Sequence, residues 1–362
     1  MHIRIITSTP QNFAEGSGTF AGVSTLAKAL RGLGATVEVV TPAVRIPIYT
    51  LRRILFNEGL RLRADKSAEI TIGIDMDGYA VEKRHGGLHV ASIKGVIADE
   101  LRFESGITRS TMRIQAAFEK RNVHRADLVV TTSHYSAAKI QELYGLATAP
   151  RVVPELIDLA AWRELLARNA GKAQPGKFVV LTVCRFYPRK RLHVLLLAAQ
   201  RLRERIPGLE VRIVGDGPEA HRLKRLCASY RLSGTVTWLR DIPQSQLARE
   251  YSECDVFCLP SVQEGFGIVF LEAMASGKSI VAARAGAAPE VVKHGLLAEP
   301  DDAESLAEAI ERLYLKPELR TSLEIAGLEF VKQFDAPVVA KLFLSEIERA
   351  LSTKSGAGPK QQ

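Results

Sequence analysis

The chain has no long apolar run: nowhere in its 362 residues do about eighteen apolar residues follow one another, the length a helix needs to cross a bilayer. Cysteine is scarce. Cys184, Cys227, Cys254 and Cys258 are scattered, and the closest two stand four apart inside an apolar stretch, which is neither a zinc nor a redox spacing. They read as small reduced core residues and point to the cytosol. The first residues, MHIRIITSTP, lack a basic head, an apolar core and a small-residue cleavage site, so no secretory signal is expected. No zinc-finger, RNP, KH or basic-zipper pattern is present, which argues against nucleic acid as a partner. Acidic residues are in deficit: 40 Asp and Glu against 49 Lys and Arg leave a formal charge of +9. The excess is spread over both halves and favours anionic partners such as nucleotide phosphates or acidic lipids.

What is present is core material in an alternating order. Hydrophobic residues make up 46% of a chain too long for one ordinary domain, so two domains are expected. His2–Thr7 reads as a strand, followed by a glycine-rich loop and an amphipathic helix over about Thr19–Leu33. Val37–Pro42, Leu88–Gly95, Ala126–Ser133 and Pro150–Ile157 read as further strands. The polar stretch Asn169–Lys177, with Gly171, Pro175 and Gly176, breaks the pattern, and a second strand-helix series starts at Phe178. The expected organisation is α/β: a Rossmann-like domain over 1–168 completed by a C-terminal helix over 336–351, a second Rossmann-like domain over 169–335, and a disordered tail over 352–362.

The most informative segment is Ser261–Ala282, SVQEGFGIVFLEAMASGKSIVA. It follows CDVFCLP, a short apolar run ending in proline that reads as a buried strand. Glu264 then stands in the loop at the strand's carboxyl end and Glu272 inside the next helix, where ligands of open α/β sheets bind. Between them, Gly265, Phe266, Gly267 and Ile268 offer backbone amides at a helix start, a place that favours phosphate. An ionised carboxylate on each side can accept hydrogen bonds from sugar hydroxyls. The bland reading is a helix start decorated with surface glutamates.

Other pieces occur in order: VLTVCRFYPRKR (Val180–Arg191), RIVGDGPE (Arg212–Glu219) and GAAPEVV (Gly286–Val292). Together with the two glutamates they resemble the retaining GT-B glycosyltransferases of family 4, glycosyl transferases group 1. The resemblance is specific from about Phe178 to Leu315 and loose before it. It implies the GT-B fold, two Rossmann-like domains with parallel sheets facing across a cleft. It also implies transfer of a hexose-type sugar, with retention, from a nucleotide diphosphate sugar to a hydroxyl acceptor in cell-surface glycan or glycolipid synthesis. Alternatives are a GT-B nucleotide-sugar epimerase and a non-catalytic scaffold that binds sugar nucleotides. On this reading Arg185, Lys190 and Glu264 are catalytic. Arg185 and Lys190 neutralise the departing diphosphate, Glu264 holds the transferred sugar and Glu272 the ribose. On charge alone, Arg185 and Lys190 read as a solvated basic loop; Arg189 and Arg191 are expected to face solvent.

The loop EGSGTFAG (Glu15–Gly22) does not fit a nicotinamide fingerprint, because its glycines are mis-spaced and no acid ends the second strand. The resemblance assigns Gly16 and Gly18 to the donor phosphate. Asp75 and Asp77, in IDMDGY, form a D-x-D pair that invites comparison with a divalent-metal site. The other motifs already supply a metal-free phosphate site, so no metal and no cofactor are expected, and the pair is assigned to the acceptor side with Lys94. Arg240, in WLRD, stands where the family often has glycine beside the nucleotide base. Finally, residues 45–63 put Ile48, Leu51, Leu55 and Leu62 at helical spacing among Arg52, Arg53, Arg61 and Arg63. Such a stretch can lie on an anionic membrane. The competing and favoured reading is a helix packed on the sheet with its arginines in water. The expected setting is cytoplasmic, with peripheral contact to the inner membrane face open.

Overall fold

The computed structural model describes residues 1–10, 13–43, 46–61, 68–81, 87–171 and 174–356, with the side chains of all but 13–17, 355 and 356. The chain divides into two compact units, Met1–Leu156 with Ala336–Gln362, and Ile157–Asp335.

The first unit runs β1 (His2–Ile6), α1 (Phe13–Gly32), β2 (Thr36–Val40), α2 (Tyr49–Leu60), β3 (Ile70–Ile74), β4 (Leu88–Ile93), α3 (Ile97–Glu100), α4 (Gly106–Arg125), β5 (Leu128–Thr131), α5 (His134–Tyr144) and β6 (Arg151–Val152). Its six strands are parallel in the order β2-β1-β3-β4-β5-β6. Ile3, Ile5, Ile70 and Ile72 are buried beneath Leu26 and Leu30 of α1. The second unit runs α6 (Leu159–Asn169), β7 (Phe178–Val183), α7 (Leu192–Leu202), β8 (Leu209–Val214), α8 (Ala220–Ser229), β9 (Val236–Leu239), α9 (Gln244–Glu253), β10 (Val256–Leu259), α10 (Ile268–Ala275), β11 (Ser279–Ala283), α11 (Ala288–Val291), β12 (Leu296–Ala298), α12 (Ala303–Leu315) and α13 (Pro317–Phe330). Its strands are also parallel, in the order β12-β11-β10-β7-β8-β9. The last helix, α14 (Ala336–Gly356), returns to the first unit, where Val339, Phe343 and Ile347 are buried.

Both faces of the second sheet are covered, which explains the apolar runs of its central strands β7 and β10. Val180, Val256 and Cys258 pack on one side; Val179, Leu181, Phe257 and Leu259, one residue out of phase, pack on the other. All four cysteines are free; three are buried and Cys184 is half-buried.

Several expectations need correcting. The glycine-rich loop is absent: α1 already begins at Phe13, so Gly16 and Gly18 lie within helix. Beyond the first turn, helical amides are spent on i→i−4 bonds, so the Gly18 N–H is not offered as a loop amide would be. The first boundary falls at Leu156, ahead of the expected 168, because Leu159 and Trp162 of α6 are buried in the second unit's core. The tail is helical as far as Gly356, and 357–362 lie outside the described residues. The basic helix is inverted relative to the favoured reading of a helix packed on the sheet with its arginines in water. Arg53, Thr50 and Asn57 are its buried face, whereas Ile48, Tyr49, Leu51 and Leu55 are exposed. Arg45, Leu62 and Arg63 of that stretch lie outside the described residues.

Candidate functional site

In the second unit the chain leaves β7 toward β8 and β9, then returns to place β10 on the other flank of β7. Strand order reverses between β7 and β10, and the carboxyl ends of such a pair open a crevice. The loops that follow these strands carry the residues singled out above. Pro188–Lys190 forms a short 3-10 turn, and the Arg189 carbonyl accepts a hydrogen bond from the Val262 N–H at 2.9 Å, tying the β7 loop to the β10 loop. Across this seam the Lys190 ammonium donates to the Glu264 carboxylate, both side chains being about nine-tenths buried.

Two glycines make the close approach possible. Gly215, with φ 134°, lies so near the β7 loop that a Cβ there would fall 2.0 Å from the Cys184 carbonyl oxygen. Gly286, with φ 58°, would put a Cβ 2.7 Å from the Glu264 backbone N. A side chain at either position would therefore push the loops apart. The Phe186 N–H donates to the Asp216 carbonyl at 2.9 Å and the Ala287 N–H to the Glu264 carbonyl at 3.0 Å, so the four loops brace one another. Gly267 caps α10, whose first-turn amides and positive end suit an anion. Phe266 contributes only backbone here, because its ring is buried against Phe334. Arg185 is half-buried on the same loop as Lys190.

Glu272 lies one turn into α10. Its Oε2 accepts from the Tyr251 hydroxyl at 2.8 Å, and burial pushes its carboxyl up to about 7 while that hydrogen bond opposes the rise. Tyr251 is fully buried between Trp162 and Phe257.

Some features escape sequence reasoning. Arg189 and Arg191, expected in solvent, are half-buried: Arg189 stacks on Tyr187 at 4.9 Å, and Arg191 pairs with Asp301 at 2.6 Å. Ser261 and Gln263, both 1% exposed, lie just before Glu264 with side-chain polar atoms that meet no hydrogen-bond partner among the described residues. Buried polar groups of this kind are rare and costly, and gather where a water or ligand completes them. Their only signal in the sequence is their place beside Glu264.

In the first unit the three acceptor-side candidates do different things. Asp77 is fully buried: Oδ2 accepts from the Ser8 N–H and hydroxyl, both at 2.7 Å, and Oδ1 from Asn57 at 2.8 Å, with Arg53 alongside at 3.3 Å. Lys94 forms a buried ion pair with Glu155 at 3.0 Å. Asp75 remains partly exposed after β3, its Oδ1 accepting from the Lys94 N–H at 2.8 Å. Among the described residues no group of three His, Cys, Asp or Glu is arranged to hold a metal. Among them, too, no helix is long and apolar enough to cross a membrane.

Comparison with known proteins agrees with this geometry. Residues 166–330 match the family described as glycosyl transferases group 1. A GDP-mannose-dependent alpha-(1-6)-phosphatidylinositol monomannoside mannosyltransferase from Mycolicibacterium smegmatis is 31% identical over 216 residues, 56% of either chain. A D-inositol 3-phosphate glycosyltransferase from Saccharomonospora viridis is 34% identical over 238 residues, 61% of this chain and 55% of that one. The chain thus spans little more than half the length of these relatives. Among solved structures, sucrose-phosphate synthase from Thermosynechococcus elongatus superposes with a TM-score of 0.82 at 24% identity, over 98% of this chain and 99% of that one. Anabaena HepE in complex with UDP and glucose gives a TM-score of 0.74 at 20% identity, over 98% and 100%. Residues 166–330 thus resemble glycosyl transferases group 1, and the two parallel sheets are those of the GT-B fold.

Proposed function

We propose that this protein is a glycosyltransferase that moves a hexosyl group from a nucleotide diphosphate sugar to a hydroxyl of a glycan or lipid-linked acceptor, with retention of configuration and without a metal. The observation that carries the reading is the Lys190–Glu264 pair at the reversal between β7 and β10, within the matched family segment. An ammonium has three donors, so Lys190 can turn from Glu264 to a diphosphate when one arrives. Arg185 and the first-turn amides of α10 add to the same charge. The catalytic contribution is electrostatic stabilisation of the departing diphosphate. Glu264, released from Lys190, accepts from the transferred sugar, and Glu272 accepts from the ribose. The mannosyl and inositol-phosphate relatives make GDP-mannose the first donor to test and phosphoinositol compounds the first acceptors.

A screen of nucleotide sugars for transfer, hydrolysis and epimerisation tests the reading; epimerisation without transfer, or binding without turnover, sinks it. The anomeric configuration of the product tests retention. Activity is expected to persist in excess EDTA. If it vanishes and returns with manganese or magnesium, Asp75 becomes a candidate ligand. The exposed Ile48, Tyr49, Leu51 and Leu55 of α2, beside Arg52, support contact with an anionic membrane at about 1 kcal/mol per basic residue. Flotation with anionic and neutral vesicles tests that contact, and equal behaviour with both rules it out.

A further inference from the structure

Glu272 has a partner that the transfer reaction leaves unexplained. Tyr251, on α9, is fully buried and inert as an acid: burial and the neighbouring Glu272 hold its hydroxyl well above the usual range. A buried tyrosine hydroxyl must find an acceptor. Here it chooses Glu272 Oε2 at 2.8 Å over the Val269 carbonyl at 3.4 Å. The ring is gripped by Trp162 at 5.6 Å and Phe257 at 5.8 Å between centroids, so the hydroxyl is fixed in space. Trp162 also donates to the Ser276 hydroxyl at 3.0 Å, which donates to the Glu272 carbonyl at 2.7 Å. Side chain and backbone of Glu272 are therefore held from the same aromatic cluster.

We infer that Tyr251 is a positioning residue for donor binding, which fixes the Glu272 carboxylate through Oε2 so that Oε1 alone is offered to the ribose hydroxyls of a nucleoside diphosphate. The inference rests on the function proposed above and assigns a role to a residue outside the shared motifs. It carries a pH consequence. The carboxyl of Glu272 lies near 7, so its anionic, hydrogen-bond-accepting form is only part of the population at neutral pH. Burial pushes the thiols of Cys184 and Cys254, which face Tyr251, up to about 12. On α13, which packs against α10, Arg320 and Glu324 face each other and Asp255, with Lys278 near Glu324. On α6, Glu164 and Arg168 pair with each other in the open. The hydrogen bond from Tyr251 lowers the carboxyl, so its removal raises it further.

The test measures binding of GDP and of UDP by calorimetry between about pH 6 and pH 9, with no turnover involved. The wild-type protein is expected to bind more weakly as pH falls through about 7. Tyr251→Phe keeps the ring in its cluster. It is expected to bind about three- to tenfold more weakly at pH 7, with its midpoint moved upward and affinity recovered by about pH 9. A loss of equal size at every pH means a merely structural role and overturns the inference, as do wild-type affinity and midpoint. Glu272→Gln keeps an acceptor for Tyr251 but cannot ionise, and is expected to lose the pH dependence that the wild-type protein shows beyond the titration of the nucleotide's own terminal phosphate. If that dependence persists, the inference fails even should Tyr251→Phe not fold. If the wild-type protein binds neither nucleotide, the proposed function falls as well, an outcome distinct from the others.

Discussion

At the reversal between β1 and β3 the first unit holds Asp77 against Arg53, which reaches in from α2; at the reversal between β7 and β10 the second unit holds Lys190 against Glu264. The positions correspond, and the surroundings do not. Asp77 is saturated by Ser8, Asn57 and Arg53, and Arg53 donates in turn to Ser8 at 2.8 Å and Gln115 at 2.9 Å. Gln115 completes the chain on Thr50 at 2.8 Å. A buried polar network with every valence filled holds one geometry and has nothing left for a ligand. Lys190 and Glu264 have only each other as side-chain partners among the described residues, with unsatisfied Ser261 and Gln263 beside them. The corresponding crevice holds a saturated network in one unit and a single ion pair in the other.

The largest effect should come from breaking the saturated network. Asp77→Ala leaves the Arg53 guanidinium buried and uncompensated, a loss of about 3–5 kcal/mol. For a unit of this size that lowers the melting temperature by roughly ten degrees or more. Thermal unfolding followed by circular dichroism reads it. A variant as stable as wild type would show that the first pair is no more structural than the second.

Lys190→Ala and Arg185→Ala should act on turnover, each reducing kcat/KM at least tenfold, about 1.4 kcal/mol. Lys190→Ala also leaves the Glu264 carboxylate buried without its partner and lowers the melting temperature, whereas Arg185→Ala is expected to change it much less. Glu264 and Glu272 should then separate. Glu264→Ala is expected to lower kcat more than it raises donor KM, because its contacts are to the sugar that moves. Glu272→Ala should chiefly raise donor KM, because ribose contacts are equal in ground and transition states. Steady-state kinetics against varied donor decide between this order and its reverse.

The motifs were legible because they are local. A strand, its turn and the next helix start lie within some twenty residues, so Glu264 and Glu272 could be placed without a structure. Parallel strands were legible for a similar reason: burial on both faces leaves an unbroken apolar run. What the sequence hid depends on partners far along the chain. Trp162 lies beneath Tyr251, which ties α6 to the second unit and shifts the boundary. Tyr251 stands 21 residues before Glu272 and outside the motifs singled out in the sequence. Arg53 looked like a surface arginine, because the acid that draws it inward, Asp77, lies 24 residues further along the chain. The glycines near residue 16 read as a loop, yet the segment is helical from Phe13.

The smallest effect sharpens the comparison inside the first unit, where Asp75 and Asp77 stand two residues apart with opposite expected outcomes. Asp75 follows β3 in a left-handed conformation, φ 53°, which asparagine also adopts readily. Burial pushes its carboxyl up to about 6, with Asp77 and Glu100 adding to the rise and Arg53 and the Lys94 amide opposing it. Glu119 is fully buried nearby, and burial, with Asp75 adding to it, holds its carboxyl well above the usual range. Between about pH 4 and pH 6 the folded state therefore holds a proton that the unfolded chain has released. Stability attributable to Asp75 falls as pH rises through that window, and the full cost is present above it. Asp75→Asn removes the cost while keeping an oxygen for the Lys94 amide. The variant should match wild type near pH 4 and gain on the order of 1 kcal/mol at pH 7 and above, two to four degrees in melting temperature. Equal gains at both pH values would mean that ionisation of Asp75 is not the cause. A loss at pH 7 would place Asp75 with Asp77 in the saturated network.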